Sequence, residues 1–270
     1  MRKLVLVSSV ASLAVLAAGC QKLESRDQLN KGTQAFKNAQ YPEAVEHFKQ
    51  AVELDPNFPV ARLYLATAYM QQYIPGAESA ENEQMAKAAH DTFMKVLEQD
   101  PKDTTAIASI ASLYLYQRKW DDAQQWFEKL TAVDPSDADA YYSLGYVAWQ
   151  KWYPAFGLAL ADLGMKQDDP GPIKDKKVKE DLKAKWIPTI DAGLDDLDKT
   201  LKINPEYEDA MTYKNLLIRE RAYLDDDKDQ WAKDTKTADD LQQKALDTKK
   251  IKAARAEKKS AATGIVEDTN

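Results

Sequence analysis

Residues 101–135 read PKDTTAIASIASLYLYQRKWDDAQQWFEKLTAVDP. Pro101 and Pro135 stand 34 residues apart and bracket two apolar periodic stretches. Ile110, Ala111 and Tyr114 mark one face of a first helix. Trp120, Ala123, Phe127 and Leu130, at steps of three and four, mark one face of a second. An Asp-Pro pair stops that second helix, because proline lacks a backbone donor and disfavours helical geometry in the residue before it. The segment is a helical hairpin, and one hairpin cannot bury its own apolar face; neighbours must stack on it.

The same punctuation recurs at Asp55-Pro56, Asp100-Pro101, Asp134-Pro135 and Asn204-Pro205. Pro56 to Pro101 is one period with 11 residues added, and Pro135 to Pro205, at 70 residues, is about two periods. Ahead of Pro56, Gly32 marks a close helix approach, Tyr41 the turn, and Ala44, Phe48 and Ala51 one face of a second helix. Phe48 fills the gap between hairpins. The next unit carries Leu65, Ala66 and Tyr69, then Ala89, Phe93 and Val96; its extra residues lie around Tyr73–Glu83, where Pro75-Gly76 breaks the helix. A fourth unit has Leu144 and Gly145, a long insertion, then Leu194, Leu197 and Leu201. A weaker fifth first helix starts near Glu208 and runs through Leu216 and Leu217.

This pattern, over roughly residues 25–220, resembles the tetratricopeptide repeat (TPR). The resemblance implies an all-α TPR helical-hairpin solenoid of four to five units with a helical insertion, followed by a C-terminal polar helix and tail. The units fall at about 25–58, 59–103, 104–137, 138–207 with the insertion at 151–187, and a partial 208–222. In such arrays the first helix of each repeat lines the inner face. By phase this directs Phe36, Leu63, Thr67, Met70, Ser112, Leu115, Tyr116, Tyr142, Tyr146 and Trp149 into a groove. Tyr142, Tyr146 and Trp149 form one stripe, which either binds a partner or packs against the insertion. The insertion, with Trp152, Tyr153, Phe156, Leu158, Leu160, Leu163 and Trp186-Ile187-Pro188, is too apolar for a solvated loop. It caps the groove, extends the fourth unit's helices, or lies on a partner or membrane.

Ahead of the repeats, Arg2 and Lys3 precede the apolar run Leu4–Leu16, and Ala17-Ala18-Gly19-Cys20 follows. The run is shorter than the ~20 residues a bilayer span needs, so residues 1–19 read as a secretory signal. Leu16–Cys20 resembles the lipobox of bacterial lipoproteins, with Ala17 where leucine is usual. That resemblance implies cleavage before Cys20, acylation of Cys20, and a lipidated N-terminus over 20–24. Gln21, in place of an aspartate, implies the periplasmic face of the outer membrane. Cys20 is the single cysteine, so no intrachain disulfide can form.

Losing Arg2 and Lys3 would leave 35 basic residues against 44 acidic, a net charge of −9. Nucleic acid repels such a chain. Past Arg221 the pattern fades into residues 223–270. Asp225-Asp226-Asp227 reads as a solvated helix end, residues 237–259 as a polar, locally basic helix with little to bury, and 260–270 as disordered.

Chemistry finds no foothold. His47 and His90 lie in different repeats without companion ligands, and nucleophile-elbow, phosphate-loop and dinucleotide motifs are absent. No cofactor and no metal are expected, and no catalytic residue. The expectation is a non-catalytic, lipid-anchored envelope scaffold whose partners are other envelope proteins. The alternative is an accessory lipoprotein or enzyme with a small-molecule or glycan site beneath residues 151–190.

Overall fold

The computed structural model describes the backbone of residues 2–263 and the side chains of residues 20–259. The side chains of the expected signal segment, and residues 264–270 of the expected tail, lie outside the described residues. Ten helices and no strand occur among the described residues, and the fold is all-α and TPR-like. No described helix is long and apolar enough to cross a membrane. The chain forms two units, residues 1–126 and 127–270.

In the first unit α1 (Arg2–Lys37) pairs with α2 (Tyr41–Leu54), and α3 (Pro59–Gln72) pairs with α4 (Ala80–Gln99). Then come α5 (Thr104–Tyr116) and the start of α6 (Trp120–Val133). The first helices of successive hairpins also touch, α1 on α3 and α3 on α5. Ala44, Phe48 and Ala51 are fully buried. Gly32 makes room for Phe48: a Cβ there would lie 2.5 Å from the ring. Phe48 in turn stacks on Tyr64 of α3 at 5.4 Å, so it bridges two hairpins as its spacing implied. Buried Ser25 donates to the Ala51 carbonyl at 2.7 Å, so packing begins five residues after Cys20.

The Asx-Pro pairs act by one mechanism. Asp55, Asp100, Asp134 and Asn204 each follow a helix, and each side chain accepts the backbone N–H two residues on, at 3.2, 3.0, 2.9 and 3.1 Å. Asp103 and Asp137 then cap the next helices, accepting from Ala106 and Ala140 N–H. Two turns within hairpins share another device. Ala39 and Arg118 take left-handed backbone, φ +57° and +56°. Gln40 N–H then closes on Ala35 O, and Lys119 N–H on Tyr114 O.

The extra residues of the second hairpin form an ordered loop over 73–79. Buried Asn82 holds it, accepting from Ile74 N–H at 2.7 Å and donating to the Ile74 and Ala77 carbonyls at 2.8 Å each.

The second unit comprises the end of α6, α7 (Ala138–Asp162), α8 (Lys176–Ile203), α9 (Glu208–Ala222) and α10 (Lys228–Thr263). Of the three fates open to the 151–187 insertion, the structure takes one: it lengthens both helices of the fourth hairpin. α7 continues through Pro154 and α8 through Pro188. Trp152, Phe156, Leu160, Ile173 and Ile190 are core, packed with Leu194, Leu197, Leu217, Ile218 and Tyr223. Much of the apolar composition there reflects burial within the chain, while Tyr153 and Leu158 stay exposed.

Over residues 228–259 the reading of a solvated appendage needs correction. α10 lies along α9, so 208–222 is the first helix of a complete fifth hairpin and not a partial unit. From α10 the contact buries Ala238 and Ala245, both small, with Leu241 half-buried against the same core. Ion pairs supply the rest: Arg219–Asp239 at 2.5 Å, Arg221–Asp234 at 3.2 Å, Lys252–Glu208 at 2.6 Å and Arg255–Glu206 at 2.7 Å. Two of the basic side chains expected to face solvent or a partner, Lys252 and Arg255, therefore pair within the chain.

Candidate functional site

The residues expected to line a groove fall into two groups. In the first unit Phe36, Leu63, Thr67, Met70, Ser112 and Leu115 are half-buried, while Tyr116 is 48% exposed. Phe36 packs edge-on against Tyr41 at 5.3 Å, and the Thr67 hydroxyl donates back to the Leu63 carbonyl at 2.9 Å. Both therefore serve local packing in part.

A cavity of about 830 Å³ opens beside this group, between the 73–79 loop, α4 and the α5–α6 turn. Tyr73, His90, Tyr114 and Tyr116 line it with Lys87, Arg118, Lys119, Glu78 and Glu83. His90 Nε2 meets the Tyr114 hydroxyl at 3.2 Å, and Lys119 stands over the Tyr114 ring at 5.8 Å. Burial pushes the Tyr114 phenol above its ordinary range. Volumes of this order suit small ligands and peptide side chains. His90 is a semi-buried residue of α4, and its pairing with a tyrosine 24 positions away has no local sequence signal.

In the second unit Tyr142, Tyr146 and Trp149 form the expected stripe on α7, all half-buried. The stripe packs chiefly against α9, and from residues 151–187 Tyr153 joins it. Tyr213 of α9 meets Tyr142, Tyr146 and Trp149 at 5.9, 5.0 and 5.3 Å between ring centres. Tyr207 stacks on Tyr142 at 5.0 Å and donates its hydroxyl to Asp139 at 2.8 Å. Tyr153, 36% exposed, extends the stripe by stacking on Trp149 at 4.8 Å. Burial is the first cause that raises the Tyr142, Tyr207 and Tyr213 phenols, so these hydroxyls stay neutral.

Glu220 ends the row. It lies one turn beyond Leu216 and two beyond Tyr213 on α9, is 6% exposed, and accepts from Trp149 Nε1 at 3.0 Å. Burial pushes its carboxyl up to about 7, partly offset by the Trp149 and Trp152 indoles. Tyr207, Tyr213 and Glu220 were not singled out from sequence. The available signal was Tyr213, Leu216, Leu217 and Glu220 at helical spacing, with nothing to say which face met α7.

Beneath the lengthened fourth hairpin, where the alternative reading put a closed site, most space is filled by core side chains. A cavity of about 240 Å³ remains, lined by Lys183, Ile187, Arg221, Asp225, Asp226, Asp227 and Gln230. That is below the usual range for a ligand site. Asp225 is half-buried and raised to about 6 by burial and by Asp234, while Asp226 pairs with Lys179 and Lys183 at 3.2 and 2.7 Å. The acidic cluster is therefore partly engaged in structure. Among the described residues no group of three or more His, Cys, Asp or Glu side chains is placed to hold a metal ion.

The fold is TPR-like, and two stretches of the chain match tetratricopeptide-repeat families. Residues 34–72 match the family described as TPR repeat, and residues 109–164 the one described as tetratricopeptide repeat. A curated relative, the photosystem I assembly protein Ycf3 of Prochlorococcus marinus, is 28% identical over 144 residues, 49% of this chain and 76% of that protein. Among solved structures, MamA from Desulfovibrio magneticus RS-1 superposes with a TM-score of 0.56 at 17% identity, covering 84% of this chain and 96% of that one. Another MamA crystal structure gives 0.54 at 18% identity, covering 83% and 96%. At these identities the structural likeness establishes the fold.

Proposed function

We propose that this chain is a lipid-anchored, non-catalytic scaffold of the bacterial envelope, which captures segments of other envelope proteins on its TPR faces at the periplasmic side of the outer membrane. The observation that carries the reading is the aromatic row on α7 and α9. Tyr146, Trp149, Tyr153 and Tyr213 are held by one another and still reach solvent in part. Aromatic side chains that keep accessible surface are what binding hot spots use. The matched relative named for photosystem assembly supports a role in bringing proteins together.

The anchor rests on the sequence before the fold. Cys20 is exposed, Gln21 to Glu24 are exposed, and among the described residues Ser25 is the first buried side chain. Residues 20–24 belong to α1, and five helical residues rise only about 7.5 Å, so acylation would hold the repeats close to the membrane surface. Two acyl chains suffice for stable anchoring.

Cys20→Ser should abolish labelling by a palmitate analogue and release the protein from membranes; unchanged labelling removes the anchor. Photo-crosslinking from position 146 in whole cells should capture envelope proteins, and Trp149→Ala in the same chain should weaken capture without loss of helicity. Equal capture with and without Trp149→Ala would remove the α7/α9 face as the docking surface.

A further inference from the structure

Glu220 is a buried carboxylate without a cation. Its Oε1 accepts from Trp149; Oε2 is sealed from solvent with no hydrogen bond closed to it, although the indole of fully buried Trp152 lies near enough to steady the carboxylate. The flanking arginines are committed elsewhere, Arg219 to Asp239 and Arg221 to Asp191 and Asp234. A carboxylate removed from water is costly unless a positive group meets it. Here burial acts on the carboxyl with no cation to oppose it.

What surrounds Glu220 is aromatic. Trp149 touches both the carboxylate and the exposed ring of Tyr153, and Tyr213 packs against the other side of the Trp149 indole. Aromatic faces attract cations, and arginine most readily, because its flat guanidinium is weakly hydrated, stacks on rings and presents several donors to a carboxylate. Trp149 is half-buried, so its indole can be displaced without breaking the core, whereas Trp152 is fixed there.

We propose that the α7/α9 face recognises an arginine side chain of the captured segment, with Glu220 as the counter-charge and Trp149 and Tyr153 as the stacking walls. This rests on the reading of that face as a docking surface and adds the chemistry of its ligand. On binding, the Trp149 indole moves aside, the guanidinium donates to Oε2, and its plane lies against the rings.

The test uses the protein labelled with ¹⁵N, whose six tryptophans give separate indole signals assignable by single Trp→Phe changes. N-acetyl-arginine methyl ester is titrated against its neutral isostere, N-acetyl-citrulline methyl ester. Expected are shifts of the Trp149 and Trp152 indole signals with arginine, and at least about tenfold weaker binding of citrulline, the size of one charge-assisted hydrogen bond. Glu220→Gln keeps an acceptor for Trp149 and should erase that preference with the helical spectrum unchanged. The proposal is overturned if the two esters bind alike, if neither moves these signals, or if Glu220→Gln leaves the preference intact. Capture through position 146 is scored separately. Capture with no arginine preference removes this inference alone, and an arginine preference without capture removes the docking reading.

Discussion

Gly145 and Gly157 lie in the same helix, α7, yet alanine should have opposite effects at the two positions. Each substitution gains about 1 kcal/mol of helix propensity. At Gly157 a Cβ meets nothing within 4 Å, so the gain stands. At Gly145 the Cβ falls on Leu197, with Cδ2 at 2.7 Å and the branch carbon closer still. Leu197 is fully buried, and the neighbouring close approach is as tight, a Cβ at Gly193 lying 2.6 Å from that of Ala148. The collision is with a branch point in a packed core, which puts it toward the upper end of the ~1–3 kcal/mol range for overpacking. Gly145→Ala should therefore destabilise by about 1–2 kcal/mol net, and the two variants should differ by about 2–3 kcal/mol. For a unit of this size that is a gap of roughly 4–12 °C in midpoint. Thermal unfolding followed by far-ultraviolet circular dichroism reads it directly, since both residues report on one helix. If both variants shift the same way, the close α7/α8 approach is not what glycine serves at 145.

Other expectations follow from single groups. The Glu220 carboxyl, held at about 7 against an ordinary 4.5, binds its proton more tightly folded than unfolded. Stability should therefore fall as pH rises between those values. Glu220→Gln should match the parent chain near about pH 5 and exceed it by up to roughly 3 kcal/mol near about pH 8, as urea unfolding at the two pH values would show; equal stability at both removes the buried charge. Ala39→Gly and Arg118→Gly should each stabilise by about 0.5–1 kcal/mol, because the left-handed backbone there strains any side chain; loss of stability in denaturant titrations would refute this. Asn82→Ala strips three hydrogen bonds from the 73–79 loop, so chymotrypsin should cut after Tyr73 at least about tenfold faster; an unchanged cutting rate would show that the loop holds itself.

Helix punctuation was legible in the residues because its physics is local. The oxygen of Asp55, Asp100, Asp134 or Asn204 bonds an N–H two positions on. Gly32 and Phe48 could be paired from their spacing, since hairpin partners are joined by a short turn and their register is fixed. Other features depend on helices meeting at longer range. Tyr142 and Tyr213 are 71 residues apart, as are Trp149 and Glu220, and no periodicity within α9 says which of its faces turns to α7. The helix α10 looked like a polar appendage because its packed stripe is narrow, Ala238, Leu241 and Ala245 amid charged residues, several of which pair across to α9. Apolar residues 151–163 announced burial without naming the surface that would cover them; only the packing of α7 on α8 and α9 decided that it was the chain's own core. Local hydrogen bonding and helix period are encoded within a few residues, whereas the pairing of faces is a property of the whole stack.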